Sequence, residues 1–386
     1  MDDGFALDPS LSKQFTYSAR QPLAFTEPRV ALLTGATGFL GTTLLRDLLA
    51  HTSLDVVCLV RGSSEVDGTK RVRRALQHRK LWRPDCENRI RAVAGDLTWP
   101  RCGLSDREFT SLSTQIDVIY HCAALVNLVL PYKTLRATNV LGTVEILRLA
   151  AVGSVNAFHH ISSITALAPA ESDDASLVVK NCCIGRSLDG YAKSKVVAEQ
   201  LIHHAADRGL GVVIYRPGLM TGDSRTGICN LIDILSLVLS ACIRLGVAPG
   251  YDGVVYLTPV DIVSRTIVKL SQIANIPGRT FNITNPRPVL WAQVTSILHS
   301  QGYVRRIAPY SEWLKLVREH AESTSREDMR RAAALLSESP PSYRSPGHAQ
   351  DSVNQLLTAP EGEYPKDDNA LLTRYLRFLA AEGDRW

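Results

Sequence analysis

No stretch of this 386-residue chain stays apolar for the length of a bilayer. The best candidate, Leu231 to Leu245, is interrupted by Asp233 and Arg244 and reads as a buried helix. The segment Met1 to Pro28 lacks the basic start and apolar run of a signal peptide, so residues 1–28 read as a linker. The eight cysteines show no metal-ligand spacing. The chain is also too long for a disulfide-stapled scaffold, so neither a metal centre nor a disulfide framework is expected. Cys58 and Cys122 fall in apolar strand patterns as core residues, Cys182 and Cys183 fall in a loop, and the usage fits a reducing cytosol. A net charge of only +5, without concentrated Lys and Arg, speaks against a nucleic-acid binder. No internal repeat is visible. A composition of 45% apolar and 21% charged residues is that of a globular protein, with a length that supports roughly two or three domains.

Strand-like runs at Val30–Thr34, Asp55–Val60, Arg91–Ala94, Val118–Tyr120, Ala157–Ile161 and Val212–Tyr215 alternate with helical patterns at Phe39–Ala50, Arg71–Lys80, Thr138–Ala151 and Tyr191–Asp207. That alternation predicts an α/β fold, a Rossmann-like doubly wound parallel sheet with helices on both faces. Beyond Arg216 the pattern loosens. Helices are expected at Ile228–Leu245 and Val260–Ile273, short strands at Val254–Leu257 and Thr280–Ile283, and mostly helix thereafter. The segment Ser337–Gly347, with Pro340, Pro341 and Pro346, reads as a loop. The expected division is a dinucleotide-binding domain over 29–227 with a contribution from 251–283. A smaller, mostly helical substrate domain would then be built from 228–250 and 284–386.

The chemistry concentrates at the ends of the strands. Thr34-Gly35-Ala36-Thr37-Gly38-Phe39-Leu40-Gly41 lies where the first strand feeds the first helix. Glycines there allow a tight turn and bring pyrophosphate to free N–H groups at the helix N-terminus. No acid ends the second strand, and Arg61-Gly62-Ser63-Ser64 stands there instead. Arg61, with Arg71 as a possible second cation, suits the 2′-phosphate of NADPH better than an NAD ribose; the plain alternative is a solvated loop arginine. Gly95-Asp96-Leu97 is either an adenine contact or a turn. His121-Cys122-Ala123-Ala124 brings small residues where backbone meets cofactor or, equally, core. Tyr191 and Lys195 stand one helical turn apart, downstream of the strand-end serines Ser162 and Ser163. Alone that pair is weak. Behind a phosphate-binding turn, it places a phenol made more acidic by an ammonium next to a nicotinamide, ready to give a proton to an oxygen that gains charge.

From Val30 to Ile283 these residues resemble the extended short-chain dehydrogenase/reductase superfamily. The resemblance narrows through His121-Cys122-Ala123-Ala124-Leu125-Val126-Asn127, Asn139-Val140-Leu141-Gly142-Thr143, Tyr191-Ala192-Lys193-Ser194-Lys195, Tyr215-Arg216-Pro217-Gly218 and Thr221–Gly227 with Asn230 and Asp233. Together they look like the thioester reductase domain that ends many nonribosomal peptide synthetases, polyketide synthases and carboxylic acid reductases. The resemblance implies an NADPH-dependent oxidoreductase. It would reduce an acyl or peptidyl thioester, held on the phosphopantetheine arm of a carrier protein, to an aldehyde and in some cases on to an alcohol. It places the catalytic groups on Ser163, Tyr191 and Lys195, with Ser163 preferred over Ser162 by its offset from the strand.

The candidate cofactor contacts are Thr34, Gly35, Thr37, Gly38, Phe39, Leu40 and Gly41, then Arg61, Arg71, Asp96 and Leu97. Ala123, Ala124, Val126, Asn139, Tyr191, Lys195, Pro217 and Gly218 complete the set, and no metal is implied. Asn139 would support the active-site helix. The implied setting is a multidomain synthase in the cytoplasm, with no nucleic-acid or membrane partner and a monomer as the isolated domain. An acidic carrier would meet Arg305, Arg306, Lys315 and Arg318, although a solvated helical surface is the plainer reading of those residues. The nearest rival is a free-standing reductase or epimerase acting on a small soluble substrate. Tyr191 and Lys195 speak against a non-redox release domain or a silent NADP(H)-sensing module.

Overall fold

The computed structural model describes residues 28–153, 155–166, 190–273, 276–341, 353 and 364–383. Seven parallel strands form the central sheet: β1 (Val30–Thr34), β2 (Asp55–Val60), β3 (Ile90–Ala94), β4 (Val118–His121), β5 (Ala157–Ile161), β6 (Val212–Pro217) and β7 (Thr280–Ile283). Their order is β7-β6-β5-β4-β1-β2-β3. The chain runs outward from β1 to β3 and then crosses back to β4 on the other side of β1. That reversal is the topological switch point at which such sheets bind ligands.

The strands read as near-continuous apolar runs because both faces are covered. Along β1, Ala31 and Leu33 point to one face and Leu32 to the other. The first face packs against helices Phe39–His51, Glu65–His78 and Val260–Ser271 through Leu44, Leu48, Val72 and Ile267. The second packs against Asp106–Gln115, Gly142–Val152 and Gly190–Ala206 through Phe109, Leu147, Val197 and Leu201.

A separate core gathers helices Ile234–Leu245, Trp291–Ser300, Tyr310–Ser323, Glu327–Leu335 and Asp368–Gly383. Its largest members, Trp291 and Trp313, are buried with their indole N–H groups satisfied, donating to the carbonyls of Pro249 at 2.7 Å and Val247 at 3.0 Å. Tyr375 ties the last helix to the segment that follows β6. Its hydroxyl donates to the Gly222 carbonyl at 2.8 Å and meets Thr221 Oγ1 at 3.0 Å. Among the described residues, no helix is long and apolar enough to cross a membrane.

Four strand expectations, Val30–Thr34, Asp55–Val60, Ala157–Ile161 and Thr280–Ile283, coincide with the observed elements. Several helices begin elsewhere. The helix expected from Arg71 starts at Glu65, because the Ser64 side chain caps it by accepting from Asp67 N. The one expected from Ile228 starts at Ile234, where Asp233 accepts from Ser236 N at 2.9 Å. Thr138–Ala151 turns out to be the later part of a longer helical run, with Tyr132–Arg136 leading through a π-helical turn, Ala137–Leu141, into Gly142–Val152. Cys58 is fully buried, whereas Cys122 is half-buried. Cys182 and Cys183 lie outside the described residues, as does most of Ser337–Gly347.

Candidate active site

The register pairs Thr34 with His121 and His121 with His160, so the carboxyl ends of β1, β4 and β5 lie side by side. The glycine loop, the His121–Ala124 turn and Ser162-Ser163 all emerge there. Gly35 has φ +76°, a conformation that L side chains rarely adopt, and a Cβ on it would stand 2.8 Å from Ala123 N. A Cβ on Gly41 would fall 1.9 Å from the Gly35 carbonyl oxygen. The turn is thus packed backbone against backbone. Gly38 is the N-cap of helix Phe39–His51 and supplies no side-chain hydrogen bond. Helices Glu65–His78 and Asp106–Gln115, by contrast, are capped by Ser64 and Ser105. The first N–H groups at the glycine loop therefore stay available for an anion. That cradle fits a dinucleotide pyrophosphate.

Thr34 is one end of a buried hydrogen-bond chain. Ala123 N donates to Thr34 Oγ1 at 3.0 Å, and Thr34 Oγ1 lies 2.8 Å from His121 Nδ1. His121 Nε2 lies 3.0 Å from Thr143 Oγ1, which donates to the Asn139 carbonyl at 2.7 Å. Because the Thr143 proton is committed to Asn139, the imidazole must donate from Nε2 and accept at Nδ1. Burial pushes His121 down to about 3, with Lys195 as the lesser cause, so the ring is neutral.

Asn139 sits in the π-helical turn and uses both ends of its amide. Its Oδ1 accepts from Leu125 N at 2.7 Å, while its Nδ2 donates to the Leu125 carbonyl at 3.1 Å and to Ser194 Oγ at 2.9 Å. Ser194 in turn donates to the Tyr191 carbonyl at 2.7 Å. Asn139 thus fixes the loop after β4 to the first turn of the helix that carries Tyr191 and Lys195. The same loop presents Leu125 and Val126, exposed by 39% and 57%.

Lys195 is buried, and its Nζ donates to the Ile161 carbonyl at 2.8 Å. Burial lowers its pKa to about 8, opposed by Glu199 and Cys122. Tyr191 is buried in the same helix. The turn after Ser163, Ile164–Ala166, packs against that helix. Ser163 is half-buried and accepts from Thr165 N at 3.3 Å and from Thr165 Oγ1 at 3.0 Å. Ser162 is buried, still in the ladder through its N–H to the Tyr215 carbonyl at 2.7 Å.

On the β2 side, Arg61 is exposed and lines a cleft of about 880 Å³ with Ser63, Asp96 and Trp99. Asp67, in the first turn of the following helix, is occupied in accepting from Ser63 N at 3.1 Å. Arg71 lies on the exposed side of its helix and does not line this cleft. Asp96 Oδ1 accepts from Thr98 N at 2.9 Å and from Thr98 Oγ1 at 2.8 Å, a turn-forming role, while Leu97 packs against Gly142. Thr37 and Phe39 flank the glycine turn half-buried, and Leu40 is core. Pro217 ends β6 and is buried; Gly218 follows it against Thr284. The proposed basic docking face is largely charge-balanced: Arg306 pairs with Glu312, Lys315 with Glu319 and Arg318 with Glu338.

A switch-point glycine cradle beside a buried lysine and tyrosine defines the class: a nicotinamide-dependent oxidoreductase of the extended short-chain dehydrogenase/reductase type. The chain belongs to the male sterility protein family, whose profile matches residues 33–267, and within it to the terminal reductase domains. It is 37% identical to the terminal R domain of the myxalamid PKS-NRPS biosynthetic pathway, with a TM-score of 0.85 over 98% of this chain and 96% of that one. Over 99% of this chain it is 37% identical to a linear gramicidin synthase protein of Brevibacillus parabrevis. Over 79% of this chain it is 36% identical to the large subunit of the L-2-aminoadipate reductase of Eremothecium gossypii. The chain spans only 8% and 23% of those two proteins.

Sequence reasoning missed the His121 bridge and the partners of Lys195 and Asn139 within the active-site helix. Ser194 and Glu199 carry a signal in retrospect, standing three residues after Tyr191 and four after Lys195.

Proposed function

We propose that this domain uses NADPH to release an acyl or peptidyl chain from a carrier protein by reducing its thioester to an aldehyde. The observation that carries the reading is the buried Lys195, placed with Tyr191 beside a glycine cradle at the switch point. NADPH, when bound, supplies hydride to the thioester carbonyl carbon. Gly35, Gly38 and Gly41 would cradle its pyrophosphate, and Arg61 would face the 2′-phosphate from the end of β2. Tyr191 and Ser163 would hydrogen-bond the carbonyl oxygen as negative charge gathers on it, and Tyr191 would hand over its phenolic proton. Lys195, cationic below its pKa of about 8, would hold the nicotinamide ribose and favour the tyrosinate left behind. The resulting hemithioacetal collapses to aldehyde and carrier thiol. In this reading the partner is a carrier domain of the same synthase, which accords with relatives many times longer than this chain.

The test is oxidation of NADPH, and separately of NADH, with an N-acetylcysteamine thioester, the products being read by mass spectrometry. Aldehyde formed with NADPH supports the reading, and alcohol would show a second reduction. Activity on free ketones or nucleotide sugars, with none on thioesters, would favour the small-substrate reductase.

A further inference from the structure

The loop that follows β4 satisfies its polar groups internally and turns its methyls to solvent. Asn127 Oδ1 accepts from Val129 N and from Leu130 N, both at 2.9 Å, which closes a turn within the loop. The backbone of Leu125 is taken up by Asn139, whose Oδ1 accepts its N–H and whose Nδ2 donates to its carbonyl. Leu125, Val126 and Val129 are nevertheless exposed by 39%, 57% and 59%, and none of them joins a hydrophobic core. On a loop tied this firmly, three neighbouring aliphatic side chains make a surface that water solvates poorly.

The place of the loop gives that surface a use. Gly190 opens the helix that carries Tyr191 and Lys195, and it stands hard against the far end of the loop. A Cβ on Gly190 would lie 2.4 Å from the Leu130 carbonyl oxygen and 2.5 Å from Tyr132 N. The near end is held to the same helical turn by Asn139, which donates to Ser194 Oγ at 2.9 Å. Both ends of the loop are thus fixed to the turn that bears Tyr191, and the exposed aliphatic residues lie between the two anchors.

We infer that Leu125, Val126 and Val129 form the wall on which the acyl chain of the thioester lies, and that the substrate is aliphatic over the carbons that follow its carbonyl. The inference rests on the proposed role of Tyr191 in thioester reduction. The pantetheine arm is the poorer fit. Its amides need hydrogen-bond partners, and the N–H groups of Leu125, Val129 and Leu130 are already engaged by Asn139 and Asn127.

The test compares kcat/KM for the octanoyl and acetyl thioesters of N-acetylcysteamine, with NADPH. Each methylene taken fully out of water is worth about fourfold, so the wild type favours octanoyl by roughly tenfold or more. In Leu125→Ser/Val129→Ser this preference falls by roughly fivefold or more. Leu125→Met/Val129→Leu, which keeps the wall apolar, retains it. Equal losses on octanoyl and acetyl in the serine variant, or a wild type indifferent to chain length, overturn the inference. So does a loss seen only when pantetheine replaces N-acetylcysteamine, which would give the loop to the arm. Aldehyde from neither thioester in the wild type would instead refute the reading of the site on which the inference stands.

Discussion

Replacing the loop glycines one at a time by alanine separates what the turn does for folding from what it does for the dinucleotide. At Gly41 the added methyl would stand 1.9 Å from the Gly35 carbonyl oxygen, 2.7 Å from its carbon and 3.2 Å from Ala36 Cα. All three are backbone atoms of the turn, so no side chain can swing away. The start of helix Phe39–His51 must be levered off β1, and overpacking of this sort costs about 1–3 kcal/mol. Alanine's better helix propensity returns at most about 1 kcal/mol. At Gly35 the same backbone conflict, 2.8 Å to Ala123 N, adds to a φ of +76° that costs an L residue about 1–2 kcal/mol. At Gly38 the nearest atom is 3.2 Å away and the backbone is extended, so the fold loses less than about 1 kcal/mol. The methyl there stands at the N-cap where pyrophosphate approaches, and dinucleotide affinity should fall roughly tenfold or more. Urea unfolding and dinucleotide titration on the three variants read both effects. The expected order of stability is Gly38→Ala, then Gly41→Ala, then Gly35→Ala. Wild-type unfolding and wild-type dinucleotide affinity in Gly41→Ala would refute the packing argument.

Other outcomes follow from the same geometry. Asn139→Ala removes three hydrogen bonds, two part-buried ones to Leu125 N and the Leu125 carbonyl and a buried one to Ser194 Oγ; thermal unfolding should register a loss of about 2–4 kcal/mol. Acid should destabilise the fold through its buried imidazoles. His121 and His159 are held down near 3 and His160 is lowered too, all chiefly by burial, while the unfolded chain takes up these protons near 6.5. Their contribution is intact above about 6.5 and is lost as pH falls toward 3, with a slope approaching about 4 kcal/mol per pH unit for three protons. Urea titrations between pH 8 and 4 check this, and a flat profile would contradict neutral burial. Arg61→Ala should weaken NADPH by roughly tenfold or more while leaving NADH nearly unchanged, as measured by KM for each cofactor.

The sheet was legible because each of its strands is a short, mostly apolar run bounded by turns, with polar residues such as Arg91 and Asn282 only as brief interruptions. Helix starts were less legible. Ser64 and Asp233 are ordinary capping residues, but the basic run from Arg71 and the apolar run from Ile228 drew the expected helix starts away from them. The π-helical turn at Ala137–Leu141 has no local signature; it is set by Asn139 reaching across to Leu125 and Ser194. In the site, whatever depends on spacing within one segment could be read: the glycine loop, Tyr191 with Lys195, and the missing acid after β2. What depends on register between strands could not. His121 joins Thr34 to Thr143 only because β4 lies beside β1, and Arg216 reaches Glu199 only because β6 passes beneath helix Gly190–Ala206. The C-terminal basic residues show the same limit: Arg306, Lys315 and Arg318 pair with Glu312, Glu319 and Glu338, as suits the plainer reading of a solvated helical surface.

The most direct test of thioester reduction is a single-turnover reaction of NADPH with an acyl chain loaded on a phosphopantetheinylated carrier domain, with wild type run beside Tyr191→Phe. The account predicts one free carrier thiol and one aldehyde for each NADPH consumed in the wild type. In Tyr191→Phe it predicts a rate lower by roughly 10²-fold or more with NADPH affinity retained. Thiol release without NADPH consumption, or a Tyr191→Phe enzyme as fast as wild type, would contradict it.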